Sequence, residues 1–220
     1  MKNFDLNYIK NNWFYKSELL NFDKMTKASI LIPLCNINDE FYIIFEKRAK
    51  NITQGDEICF PGGKYEKSDK NFQFTSIRET SEELGISKEK IEILKEMDIF
   101  VTPFNSVIYS FLGYINVDNF NDLKFDKKEV QKLLFVPISW FLDNEPEIYK
   151  IQSESFPYVF DENKNKIYTF PAKKLGLPER YYTSWSNGNR EIFLYNYQGE
   201  KIWGFTASIL KNFIDKYKTL

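Results

Sequence analysis

Apolar positions fall in short blocks separated by polar turns, with two longer stretches at helical spacing. Residues 28–35 (ASILIPLC) are almost continuously apolar, the pattern of a strand buried on both faces. A polar break at 36–40 and a second apolar run at 41–47 predict a hairpin. Residues 51–57 are polar, contain Gly55 and read as a loop. Ile58, Cys59 and Phe60 form a short strand that stops at Pro61-Gly62-Gly63. A helix is expected over 70–84, capped by Ser68 or Asp69 and ended by Gly85. Its apolar stripe is Ile77 and Leu84 with Phe72 or Phe74. Strands are expected at 91–101 and 107–115, on either side of the turn Thr102-Pro103-Phe104-Asn105. An apolar segment at 133–136 precedes a short helix at 139–142. Residues 150–200 hold several short aromatic strands around a turn at 161–165. Residues 206–217 close the chain as an amphipathic helix with Ile209, Leu210, Phe213, Ile214 and Tyr217 on one side. Residues 1–25 read as a helical or irregular lead-in with Leu19 and Leu20 as packing anchors. No repeat or low-complexity linker divides the chain, so one α/β or α+β layered domain over 1–220 is expected.

Composition narrows the chemistry. The 220 residues suffice for one domain with a sizeable insertion, and 43% hydrophobic residues can build its core. Aromatics reach 18%, most simply a core rich in Phe and Tyr. A net charge of −1 gives no basic footprint for gripping a nucleic-acid backbone. No apolar run is long enough to span a bilayer. The segment MKNFDLNYIKNNW lacks the apolar centre of a secretory signal, and two cysteines, Cys35 and Cys59, make no disulfide framework. A cytoplasmic protein without nucleic-acid or membrane partners is expected; the sequence leaves a homodimer open. Histidine is absent, which excludes a Ser-His-Asp triad, a Cys-His pair and any His-ligated metal.

Chemistry must therefore run on other groups, and Arg78-Glu79-Thr80-Ser81-Glu82-Glu83 offers them. On a helix, Glu79 lies three and four residues from Glu82 and Glu83, so the three carboxylates share a face. Like charges stacked this way repel. Arg78, four residues before Glu82, relieves part of that repulsion and a divalent cation would relieve the rest. The Gly62-Gly63 turn beside this helix lets backbone groups approach a metal or a phosphate. On numbers alone, glutamates on a helix form a solvated face; the glycine turn, the Arg-Glu start and the Gly85 stop favour a metal and diphosphate site instead.

These residues resemble the Nudix family. Its box runs Gly, five residues, Glu, seven residues, then Arg-Glu-U-x-Glu-Glu-x-Gly-U, with U aliphatic. Here Gly63, Asp69, Arg78-Glu79, Glu82-Glu83 and Gly85-Ile86 stand in that order. Asp69 replaces Glu, eight residues separate it from Arg78, and Thr80 replaces an aliphatic residue. The first two departures, with Phe60-Pro61-Gly62-Gly63-Lys64, resemble the coenzyme A pyrophosphatase branch. So do the approach from Arg48 (RAKNITQGDEICFPGG), Glu129-Val130, Val136-Pro137-Ile138-Ser139 and Trp203-Gly204-Phe205-Thr206-Ala207. The likeness covers roughly 28–215, with 150–190 as an enlarged insertion.

The resemblance implies an α/β/α sandwich around a mixed β-sheet. It implies Mg²⁺ or Mn²⁺ held by Glu79, Glu83 and a Gly63 carbonyl, with Glu82 a further ligand or a partner of Arg78. Glu129 is the candidate general base. Arg48, Lys64 and Gly62 are candidate phosphate contacts, set against solvated charges in the first two cases. Arg78, Asp69 and Gly85 orient the helix. Cys59 and Trp203 read as packing residues. The implied activity is hydrolysis of a diphosphate in a small nucleotide derivative, foremost coenzyme A or its acyl derivatives. ADP-ribose or a nucleoside triphosphate is the alternative substrate, and a non-catalytic ligand sensor the alternative class.

Overall fold

Strand alternation sorts the apolar residues onto two faces of one large sheet. In the computed structural model, which describes residues 19–220, the central strand β1 (Thr26–Ile37) pairs with β2 (Glu40–Arg48) as an antiparallel hairpin. The tight turn falls at Asn38 and Asp39, both with positive φ, which these two residue types tolerate. β1 also runs parallel to β7 (Ser106–Ile115). The remaining pairings are antiparallel: β3 (Ile58–Cys59) and β8 (Val130–Pro137) on β2, β4 (Gly62–Lys64) on β1, and β5 (Ile91–Glu96) and β6 (Phe100–Val101) on β7. The result is an eight-stranded mixed sheet.

Period-two alternation gives each face its own core. Leu31, Cys35, Ile44, Phe111 and Ile115 pack beneath helix α1 (Phe72–Leu84) through Leu84, Ile77 and Phe72. Ile32, Leu34, Ile43 and Phe45 face the other way. They are covered by α2 (Ile138–Asp143) through Phe141 and by α3 (Gly204–Tyr217) through Ala207, Leu210, Phe213 and Ile214. Helices on both faces of a mixed sheet make the expected α/β/α sandwich. A three-stranded antiparallel sheet, β13–β12–β9, joins the α3 side; β9 is Glu147–Ser155, β12 is Trp185–Tyr197 and β13 is Glu200–Trp203. Between β9 and β12 lies the hairpin of β10 (Tyr158–Phe160) and β11 (Lys166–Tyr168), turned at 161–165.

Several expectations need correction. Leu19 and Leu20 are no anchors: Leu20 is 88% exposed. The rest of the expected lead-in, 1–18, lies outside the described residues. α1 starts at Phe72 rather than Lys70, because the cap is Asn71, whose side chain accepts a hydrogen bond from Phe74 N at 2.8 Å. The single strand expected at 91–101 is interrupted at Met97–Ile99, splitting β5 from β6. Tyr217 is half exposed rather than part of the α3 core.

Candidate active site

α1 ends where only glycine fits. Gly85 has φ 64°, and a Cβ there would collide with the Lys124 carbonyl. Anchored this way, α1 lies across β1 and β4 and presents one edge to Gly62-Gly63, which form the start of strand β4 rather than the expected turn. That edge carries Glu79 and Glu83. The Gly62 amide donates to Glu83 Oε2 at 2.8 Å. A Cβ on Gly63 would run into the Glu79 carboxylate, so the glycine admits the acid to the backbone.

Arg78 ties the edge together. Its Nε and NH2 donate to Asp69 at 2.9 and 3.1 Å, NH1 lies 3.0 Å from Glu79 and 3.4 Å from Glu82, and NH2 reaches the Lys64 carbonyl at 3.5 Å. Asp69 is buried, and also accepts from Thr75 Oγ1 and the Glu66 amide. The Arg78 hydrogen bonds, with smaller help from Glu66 and Thr75, hold its carboxyl well below the usual range. Asp69 is thus a buried partner of Arg78, not a helix cap. Glu82 points outward, in contact with Arg78.

One carboxylate had no place in the motif. Glu46 on β2 is only 1% exposed; Arg48 NH1 stands 3.8 Å away, Cys59 Sγ donates to its Oε1 at 3.2 Å, and its Oε2 is buried without a partner. Alternation could have found it, since Glu46 shares the β2 face of Ile44, which α1 covers. Burial raises the Glu46 carboxyl above its ordinary range, and the charges of Glu129 and Glu79 add to this. Burial likewise raises Glu83, which is 4% exposed, with the Glu46 charge as the next cause. Burial raises Glu79 too, although Arg78 opposes it. Desolvated carboxylates that repel one another, one of them with an empty acceptor, are the donor set a hard divalent cation suits. Among the described residues no three acidic or thiol groups are drawn into a ready-made cage. Glu79 is held by Arg78 and Glu83 by the Gly62 amide.

The other sequence candidates divide. The Glu129 side chain is exposed, yet its charge acts on Glu46, Glu79 and Glu83, and its carbonyl accepts from the Ala49 amide at 2.8 Å. Arg48 donates through Nε to the Thr53 carbonyl at 3.1 Å. It lines a cleft of about 380 Å³ with Cys59, Phe60, Gly62, Trp203 and Phe205. The Lys64 side chain is exposed and outside that cleft. Trp203 is not a packing residue: it is 43% exposed on the cleft wall. Cys59 lines the cleft while donating to Glu46, and both cysteines are free.

Residues 25–159 match the family model described as NUDIX domain. The chain is 29% identical over 124 residues to the peroxisomal coenzyme A diphosphatase NUDT7 of Mus musculus, covering 56% of this chain and 51% of that protein. It is 28% identical over 159 residues to Nudix hydrolase 3 of Caenorhabditis elegans, covering 66% and 62%. It is 25% identical over 125 residues to the mitochondrial coenzyme A diphosphatase NUDT8 of Homo sapiens, covering 56% and 52%. The matches thus span between half and two thirds of these relatives' length. A solved MutT/nudix family protein from Enterococcus faecalis superposes with a TM-score of 0.47 at 17% identity, over 98% of this chain and 69% of that one. With more than half its length matched by the family model, the chain belongs to the NUDIX domain family.

Proposed function

We propose that the protein is a divalent-metal-dependent pyrophosphohydrolase that cleaves the diphosphate of coenzyme A or an acyl-coenzyme A. The products would be adenosine 3′,5′-bisphosphate and a phosphopantetheine. The observation that carries the reaction type is the buried pair of Glu83, held by the Gly62 amide, and Glu46, with its unpartnered Oε2. Without a cation these two buried groups keep their protons, and a divalent cation would stabilise their ionised forms instead. The motif from Phe60 to Lys64 and the coenzyme A diphosphatases among the relatives support the substrate.

Glu79, Glu83 and Glu46, with backbone oxygen near Gly63, would hold Mg²⁺ or Mn²⁺; when bound, such a cation neutralises a diphosphate and activates water. Arg78 fixes the rotamer of Glu79, and Asp69 fixes Arg78, so the acidic edge is pre-set before substrate arrives. Arg48, at the carboxylate end of the cleft, steers the diphosphate. Glu129, exposed and acting by its charge on Glu46, Glu79 and Glu83, accepts the proton of the attacking water. Both thiols are free, which suits a reducing compartment such as the cytoplasm.

The test is a panel of coenzyme A, acetyl-coenzyme A, ADP-ribose, diadenosine polyphosphates and nucleoside triphosphates with Mg²⁺ or Mn²⁺, the products read by mass. Adenosine 3′,5′-bisphosphate released from coenzyme A by wild type but not by Glu83→Gln is expected. Cleavage confined to another compound would keep the reaction and overturn the substrate. No metal-dependent cleavage would favour a ligand sensor.

A further inference from the structure

Arg190 lies on β12, beyond the residues that match the family model. The β9–β12 register shifts between Ser186 and Asn189, immediately before it, and such an irregularity re-aims the side chain that follows. The Arg190 guanidinium lies over the Phe104 ring, 5.3 Å from its centroid. It lines both the cleft that reaches Gly62 and an adjoining cavity of about 710 Å³ that includes Phe100 and Phe205. Its Nε is sealed from solvent without a hydrogen-bond partner. Among the described residues no carboxylate forms an ion pair with it.

A shielded guanidinium N–H normally finds an acceptor, and the Nε of Arg190 has none. The contrast with Arg48 is informative. Arg48 shares the cleft, spends its Nε on the Thr53 carbonyl and stands beside Glu46, at the carboxylate end. The acids that line the two cavities leave Arg190 free: Glu57 and Glu191 are unpaired with it, and Asp98 is taken by Asn212 and Lys216. Arg190 is held over Phe104, and its terminal N–H groups on the cleft side are left for a ligand. Phe104 is 5.9 Å from Phe205, and with exposed Trp203 these rings give the same cleft flat apolar walls.

We infer that Arg190 is the second anion anchor of the cleft and that it takes a phosphate monoester on the nucleoside half of the substrate. This rests on the coenzyme A reading, whose 3′-phosphate is such a group. The diphosphate occupies the Arg48 and Gly62 end, the monoester meets Arg190 across the cleft, and the base lies against the aromatic walls. The residues that select a 3′-phosphorylated nucleotide thus come from the second sheet, not from the motif.

The test separates binding from turnover. Adenosine 3′,5′-bisphosphate and AMP are titrated calorimetrically into wild type, Arg190→Ala and Arg190→Met; the methionine keeps apolar packing on Phe104. Coenzyme A and 3′-dephospho-coenzyme A are then compared as substrates. Wild type should favour the bisphosphate. Both variants should lose roughly 10- to 100-fold for the bisphosphate, the scale of one charge-assisted contact, with AMP little changed. The kcat/KM ratio of the two substrates should collapse in parallel. Equal losses on both ligands, or no preference in wild type, would overturn the anchor. An Arg190-dependent preference without hydrolysis of either substrate would leave the anchor standing and overturn the activity.

Discussion

Arg78 shows how much of the site depends on single side chains. It holds Asp69, Glu79 and Glu82 at once, and its partnership with Asp69 is buried. Arg78→Ala leaves the Asp69 carboxylate buried and alone, and is expected to cost about 3 kcal/mol in denaturant unfolding. Arg78→Lys should recover little, because an ammonium cannot make the paired Nε and NH2 contacts. At this scale the motif made Glu79, Glu82, Glu83, Arg78 and Asp69 legible, but gave Asp69 two roles to choose between. Glu46 was not legible there, because a motif is local while Glu46 reaches the site from another strand. Only the face it shares with Ile44 would have revealed it. Trp203 was misjudged for the same reason: its neighbours on the cleft wall, Arg48 and Phe60, are distant in sequence.

The helix and strands were legible through periodicity, their ends less so. Capping residues compete: Asp69 has the chemistry of a cap but is drawn to Arg78 and Thr75, leaving the role to Asn71. Asn71→Ala should therefore lower stability by about 1 kcal/mol, with a smaller effect for Asn71→Gly, read from unfolding curves. Thr80, the departure from an aliphatic position, is fully buried with its hydroxyl unpartnered. Thr80→Val keeps the shape and removes that cost. It is expected to stabilise by about 1 kcal/mol, raising Tm by roughly 2–4 °C. A fall in Tm would mean that the hydroxyl has a partner.

For the whole molecule, layered architecture was legible because helices and strands alternate, whereas the β9–β12–β13 sheet was not, since its long pairings join residues some forty positions apart. The assembled site also sets the response to pH. Glu46 and Glu83 have folded-state pKa values raised above about 4.5, so the folded protein keeps their protons longer than the unfolded chain. Their contribution is full below that value and is lost as pH rises through their raised folded values, in the neutral range for Glu46 and on the alkaline side for Glu83. Asp69 acts oppositely: its depressed value gives stability above about 3.8 that is lost as pH falls further. In chelator, Tm should peak in mild acid and decline toward alkaline pH; excess Mg²⁺ should flatten the decline by binding the ionised pair. The most direct test of the account is a calorimetric titration of Mn²⁺ into wild type, Glu83→Gln and Glu46→Gln, all shown to be folded. Specific binding to wild type is expected, weakened at least roughly tenfold by each substitution, the scale of one lost charged ligand. Unchanged affinity in both variants would contradict it, and the buried carboxylates would not be the metal site.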